Sequence, residues 1–307
     1  MPIAIRLLLL LFAALLPGRP AKAIVYLTEA AKTDGIGTGQ AFLDGEAKLI
    51  THFDTGANSL CSGTLLLGGS LLLTAGHCVR SADGTAKASF VDVTFANSSQ
   101  WARVTDFQVS PLWNGNLWNG GDLALLRLPA PITGIAGYPL YTAASALGQV
   151  VTIAGYGNTG LISTGYIDGT YGTLRYGRNA YDLYDPSAPA IYIYDFDPAD
   201  SPQNVFPAVG SDEVMIAPGD SGGGSLLAVG GTTYLVGVHS FLFCTSVNCV
   251  PNSSTGQFGG DVSVFATRDW LLMAMPEPAI GLLLAPALLA LRCRRFPSAA
   301  AAAIRIG

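Results

Sequence analysis

The chain is poor in charge. Asp, Glu, Lys and Arg make up 12% of its 307 residues, about half the usual share of about 25%. The net charge is −5, and no sustained basic run crosses the middle of the chain. Both facts argue against a nucleic-acid partner. Histidine is scarcer still: His52, His77 and His239 are the whole supply. No Cys/His cluster has zinc-finger spacing. No EF-hand pattern is present, and no repeat period stands out. Helical patterning is weak until RDWLLMAM (268–275), which predicts a short C-terminal helix.

The chain is rich in Gly, Thr, Ser, Val and Tyr, arranged as short apolar runs between turn signals. Examples are TLLLGGSLLLTAG (64–76), SFVDVTF (89–95), DLALLRL (122–128), QVVTIAGYG (149–157), IYIYDF (191–196) and DVSVFA (261–266). Such runs are of strand length and several alternate. SLLAV and TTYLVGV around Gly230 and Gly231 predict a hairpin. These patterns predict an all-β protein, a barrel or sandwich of two packed β units in one domain. Residues 158–210 differ, with Tyr166, Tyr171, Tyr176, Tyr181, Tyr184, Tyr192 and Tyr194. They read as an insertion of surface hairpins; an aromatic rim that grips substrate or glycan is the sharper alternative. Asp195, Asp197 and Asp200 there are candidate calcium ligands.

Both ends of the chain are apolar. Arg6, then LLLLLFAALL (7–16), then Ala21-Lys22-Ala23 form the charged, apolar and cleavage parts of a signal peptide over 1–23. The apolar run is well short of the about 20 residues that span a bilayer. The mature chain is expected to begin at Ile24. Of five cysteines, Cys293 lies apart among arginines, and the others fall into two local pairs, Cys61 with Cys78 and Cys244 with Cys249. An exported chain permits disulfides.

Three stretches carry chemistry. In APGDSGGGS (217–225), Ser221 sits between Asp220 and three glycines. A serine hydroxyl is a poor nucleophile until a base takes its proton. The glycines allow a tight exposed turn, and the N–H groups of Gly219 and Ser221 are candidates for an oxyanion hole. In LLTAGHCV (72–79), a strand-like run ends at a small-residue turn bearing His77. In NGGDLALLRL (119–128), Asp122 opens an apolar strand. A buried carboxylate against a histidine would hold its tautomer and stabilise its protonated form.

Together these stretches resemble the trypsin-like, chymotrypsin-fold serine peptidases. CSGTLL (61–66), VTIAGYGNTG (151–160), LVGVHSF (235–241) and DWLL (269–272) extend the resemblance over about 40–272. It implies two packed antiparallel six-stranded β-barrels with a short C-terminal helix, over a peptidase domain of 24–275. It implies Ser221 as nucleophile, His77 as base and then acid within hydrogen-bond reach of Ser221, and Asp122 as orienter. It also implies a Cys61–Cys78 disulfide, Ser240 beside the triad on the segment that pairs with substrate, and Asp220 as acceptor of a new N-terminal ammonium. No cofactor or metal is needed for this mechanism.

The departures carry expectations of their own. Ala217 stands where the family has a cysteine, so Cys244–Cys249 reads as a local substitute for a lost disulfide. Met215 stands at the base of the primary specificity pocket and offers no charge, so no strong preference for basic side chains is expected. Phe241-Leu242 replaces the usual aromatic-glycine pair and narrows the pocket mouth. Ile24-Val25 resembles the family's activated N-terminus, although the segment before Cys61 is longer than usual and no glycine pair follows.

Pro276-Glu277-Pro278, the mostly apolar run 279–291, and Arg292, Arg294 and Arg295 resemble a PEP-CTERM sorting signal (276–295), followed by a tail, 296–307. The resemblance implies an exosortase partner, a transient inner-membrane anchor with its basic end cytoplasmic, and a cell-surface, periplasmic or matrix location in a Gram-negative bacterium. The sequence thus predicts an exported serine endopeptidase acting on protein or peptide. A catalytically silent surface binding module on the same fold is the alternative.

Overall fold

Alternation in ASFVDVTF shows how the strands build a core. Val91, Val93 and Phe95 are buried, while Phe90, Asp92 and Thr94 are only partly covered. That period of two is what a strand with one face in a core requires. The computed structural model describes residues 24–275, apart from 186–189, 203–205 and 247. The expected signal peptide, sorting segment and tail lie outside the described residues. Among those residues, no helix is long and apolar enough to cross a membrane.

The chain opens with β1 (Ile24–Tyr26) and a short helix α1 (Glu29–Asp34). Then come β2 (Glu46–Phe53), β3 (Asn58–Leu65), β4 (Leu71–Thr74), β5 (Ala88–Phe95), β6 (Trp101–Val104), β7 (Asp106–Val109) and β8 (Ala124–Arg127). They form one sheet in the order β6-β5-β2-β3-β4-β8-β7. Its two outer strands, β6 and β7, are parted only by Thr105; one pairs with β5 and the other with β8. The edges are therefore two halves of one bent strand, and the sheet closes into a barrel of six strands. Closure removes the unpaired edges an open sheet would present.

The second half repeats the device. β9 (Val150–Gly155), β10 (Thr159–Leu161), β11 (Gly165–Ile167), β12 (Arg175–Ala180), β13 (Leu183–Asp185), β14 (Ile191–Phe196) and β15 (Val214–Met215) lead to β16 (Gly224–Val229), β17 (Thr232–Phe243) and β18 (Gln257–Ser263). The second sheet runs β12-β9-β16-β17-β18-β14-β13. Here β12 and β13 are parted by Tyr181 and Asp182, pair with β9 and β14, and close the barrel in the same way. A third, four-stranded sheet, β11-β10-β1-β15, fastens the N-terminal segment to the second barrel. The all-β expectation of two barrels and a C-terminal helix is thus met. So is the hairpin at Gly230 and Gly231, whose positive φ values of 58° and 82° suit a tight two-residue turn.

Two local expectations change. Helix α2 (Val264–Ala274) starts before residue 268 because the Ser263 hydroxyl accepts the Ala266 N–H at 3.2 Å and caps it. The stretch 158–210 is not a set of surface hairpins: β12, β13 and β14 belong to the barrel wall. Tyr181, Tyr192 and Tyr194 are fully buried, with Tyr181 stacked on Tyr192 at 4.3 Å. Their hydroxyls find partners inside, which removes the usual penalty for burying tyrosine.

One core cluster contains Leu71, Leu73 and Leu125 from the first barrel together with Ala154, Leu226 and Leu235 from the second. The barrels therefore share a core, and the loops that meet above it hold the residues considered next.

Candidate active site

His77 lies on a tight turn, Gly76–Cys78, that follows β4. A Cys61–Cys78 disulfide ties this turn to β3. Asp122, fully buried, holds the histidine twice: its Oδ1 accepts the His77 main-chain N–H at 2.8 Å, and its Oδ2 meets His77 Nδ1 at 2.8 Å. The Ser240 hydroxyl donates to the same Oδ2. Burial alone would raise the Asp122 carboxyl, but the neighbouring imidazole and these donors bring it below its ordinary value. Burial would likewise lower His77, and the Asp122 charge reverses that, leaving it above 6.5. The His77 side chain is 26% exposed, so its outer edge meets the cleft.

Ser221 comes from the second barrel, on a turn that crosses to the first. Ser62 N–H donates to the Ser221 carbonyl at 2.8 Å, and the Ser62 hydroxyl donates to the Gly219 carbonyl at 2.9 Å. Cys78 Sγ lies 3.5 Å from the Ser221 carbonyl oxygen. These contacts set Ser221 against the loop that carries His77. Among the described residues the Ser221 hydroxyl makes no hydrogen bond, so the expected bond to His77 is not formed. Such bonds are often long before substrate binds and tighten in the complex. Gly219 has a φ of 97°, and a Cβ there would stand 2.5 Å from Leu60 Cδ2. Only glycine fits that place. No main-chain or side-chain partner among the described residues takes the N–H groups of Gly219 and Ser221.

Asp220 points away from the cleft. Its carboxylate accepts the N–H groups of Gly157 at 2.7 Å and Ala217 at 2.8 Å, and the main-chain N–H of Ile24. Burial pushes it up to about 6. Ile24, Val25 and Tyr26 are buried in the small third sheet, where Val25 pairs with Met215. Ile24 has a φ of 67°, a left-handed conformation that β-branched residues avoid.

Beside Ser221 lies a cavity of about 270 Å³. Ile216, Ala217 and Pro218 form one wall, and Ser240, Phe241 and Leu242 another. Phe241 and Leu242 therefore narrow a pocket without sealing it. Tyr166 and Pro251 complete the lining; Tyr166 is one of the tyrosines of the aromatic-rim alternative, and no motif pointed to Pro251. All these residues are uncharged. Met215 is not among them: it is fully buried in the second barrel's core, where strand pairing with Val25 fixes it. Trp118, from the turn before Asp122, packs on Phe241 at 4.6 Å. The Cys244–Cys249 disulfide is formed.

The only group of three potential metal ligands within reach of one another among the described residues is Cys61, His77 and Cys78. Its sulfurs are spent on the disulfide and its imidazole on Asp122, so it does not suit an ion. The carboxylates of Asp195 and Asp197 accept main-chain N–H groups of Phe206 and Gly256.

Two closed β-barrels, with a histidine held by a buried aspartate and a serine-bearing glycine turn at their junction, have the chymotrypsin fold. The family model described as Trypsin matches residues 36–256. The chain belongs to the trypsin family. Among solved structures, the HL collagenase structure is 19% identical and aligns with a TM-score of 0.53, over 83% of this chain and 98% of that one. The protease Anisep from Arthrobacter nicotinovorans is 18% identical, with a TM-score of 0.49, over 72% of this chain and 90% of that one. At such identity the likeness concerns the fold. No match is found among curated proteins.

Proposed function

We propose that this serine peptidase is an exported endopeptidase that cleaves peptide bonds through Ser221, His77 and Asp122. Ser221 Oγ gives its proton to His77 Nε2 as it attacks the scissile carbonyl carbon. Asp122 keeps the proton on Nδ1 and stabilises the imidazolium that forms. The carbonyl oxygen, now negative, takes the N–H groups of Gly219 and Ser221. One such donor is worth roughly 3 kcal/mol in the transition state. His77 then protonates the departing amine, which leaves an acyl group on Ser221. Water attacks that ester with His77 again as base, and Ser221 regains its proton. The observation that carries this reading is the doubly held His77 beside two unpaired N–H groups.

The uncharged cavity favours small or medium apolar side chains over Arg and Lys. Ile24 is read as the working N-terminus. A cut between Ala23 and Ile24 leaves no carbonyl carbon before the Ile24 nitrogen. The unfavourable φ then ceases to exist, and the N–H at Asp220 becomes an ammonium. Two disulfides suit an oxidising compartment. The sorting segment 276–295 would hold the chain in the inner membrane until an exosortase acts.

The unformed Ser221–His77 bond favours the second reading, a silent binding module. Casein turnover by the purified protein, with Ser221→Ala as control, separates the two. The endopeptidase reading expects turnover that Ser221→Ala abolishes; the module expects none from either.

A further inference from the structure

A second histidine–aspartate pair lies directly behind the Ser221 turn. His239, on β17, is fully buried and is the strand partner of Asp261 on β18. Its Nδ1 meets Asp261 Oδ1 at 2.9 Å. Its main chain is bonded to the turn on both sides: the Gly222 N–H donates to the His239 carbonyl at 2.8 Å, and the His239 N–H donates to the Gly223 carbonyl at 3.0 Å. The ring packs so closely that a Cβ on Gly223 would stand 3.1 Å from His239 Cδ2.

We propose that His239 is a positioning residue for the reaction: seated on Asp261 and packed behind Gly223, it fixes the turn that presents Ser221 and the N–H groups of Gly219 and Ser221. This rests on the reading of Ser221 as nucleophile.

Donors converge on Asp261. Its Oδ2 accepts the hydroxyls of Ser225 and Tyr181, each at 2.6 Å, and its Oδ1 accepts the Tyr194 hydroxyl at 3.3 Å as well as His239. All of them favour the carboxylate over the acid. Burial opposes both charges, yet their attraction leaves Asp261 below and His239 above their ordinary values. With three hydroxyls already donating to Asp261, His239 Nδ1 carries the proton of the fourth contact and donates it to the carboxylate. Its Nε2 is buried with no partner among the described residues. Two further acids lie within its electrostatic reach: Asp220 on the turn and Glu46 on β2. Burial pushes Glu46 up to about 8, so it is neutral at pH 7. Asp220, pushed up to about 6, is lowered in part by His239. Ionised Asp220 gathers the N–H groups of Gly157, Ala217 and Ile24, and so sets the start of the turn. His239 thus holds the turn by its main chain and lies where it lowers the Asp220 carboxyl that anchors the turn.

Two measurements on the full chain test this. The first is nitrogen NMR of the three histidine rings in ¹⁵N-histidine-labelled Ser221→Ala protein, assigned with His52→Gln and His77→Gln. His239 is expected to keep a proton on Nδ1, held by Asp261, from pH 6 to pH 8. A His239 ring whose Nδ1 is unprotonated in that range overturns the proposal. This reading needs no turnover, so its failure is distinct from failure of the peptidase reading.

The second is His239→Gln, which keeps a donor for Asp261 and removes the ring that packs behind Gly223. The rate per titrated active site is expected to fall at least tenfold with KM within about twofold. The acid limb of kcat should move to higher pH, because Asp220 loses a neighbour that lowers it. Fewer active sites with an unchanged rate per site would mean a role in stability alone, and the proposal fails. Should the variant not fold, the nitrogen shifts of the unaltered ring still decide.

Discussion

The protein holds two histidine–aspartate pairs of nearly the same geometry. In His77–Asp122 and His239–Asp261 the Nδ1–carboxylate distances are 2.8 Å and 2.9 Å. A serine hydroxyl donates to each carboxylate, Ser240 in the first and Ser225 in the second. They differ in what surrounds the other ring nitrogen. The His77 side chain is 26% exposed and faces the cleft; His239 is wholly enclosed. An imidazole that reaches substrate and water can trade protons. An imidazole sealed against a carboxylate has no substrate or bulk water with which to trade them. Under the proposed function, the same pair serves as acid–base catalyst or as a structural brace according to access, not according to its first partner.

The largest effects should break this comparison at the cleft. Ser221→Ala or His77→Ala should lower kcat by about 10⁶-fold, and Asp122→Asn by about 10⁴-fold, since the amide reverses the tautomer. Steady-state kinetics on a peptide substrate check both. At the buried pair the ranking should invert. Asp261→Asn takes the shared carboxylate from His239, Ser225, Tyr181 and Tyr194 at a fully buried position and should cost about 3–5 kcal/mol of stability by denaturant unfolding. Asp122→Asn should cost much less, because His77 can release its proton into the cleft.

Next comes pH. His77 must be neutral to act as base, and its pKa lies above 6.5. The acid limb of kcat/KM should therefore fall above that value. Thermal unfolding of Ser221→Ala protein should report the other pair. Asp261 is lowered on folding, so its contribution is present above its unfolded pKa and is lost as pH falls through the folded one. His239 is raised, so its contribution is full below 6.5 and is lost as pH rises through its folded value. Glu46 sharpens the contrast. It is raised to about 8 without a cation bonded to it, so folding works against it as pH climbs from about 4.5. Glu46→Gln should stabilise the protein on the order of 1–3 kcal/mol near pH 7 and have little effect at pH 4.

The smallest expected effects separate the two serines. Ser240→Ala should reduce kcat and barely move the melting temperature, while Ser225→Ala should do the reverse. Each change is worth about 1.5–3 kcal/mol, the usual scale for a hydrogen bond to a charged group.

The cleft pair was legible in the sequence and the buried pair was not. TAGHC and GDSGG place the proposed catalytic side chains on turns, where local sequence reflects local geometry. The hairpin at Gly230 and Gly231 was legible because its turn type demands glycine. His239 stands in LVGVHSF, a stretch read for Ser240, and Asp261 opens DVSVFA, a run read only as strand. Only the pairing of β17 with β18 brings them opposite each other. The tyrosines of 158–210 misled for a related reason. Their composition suggested a polar surface, yet Tyr181 and Tyr194 turn inward to Asp261, and the Tyr192 hydroxyl accepts the Ala146 N–H. Met215 occupied the expected sequence position for the pocket base, but pairing with β1 draws it into the core. Tyr166, named in the aromatic-rim alternative, reaches the pocket from β11, and Pro251 reaches it from the loop between β17 and β18, which local pattern does not encode.

The central claim is that the cleft pair activates Ser221. Fluorophosphonate labelling, with mass mapping of the adduct, tests it most directly in protein whose chain begins at Ile24. The account predicts a single adduct on Ser221, absent in Ser221→Ala and strongly slowed in His77→Ala. A folded, unlabelled protein, or an adduct elsewhere in the chain, would contradict it.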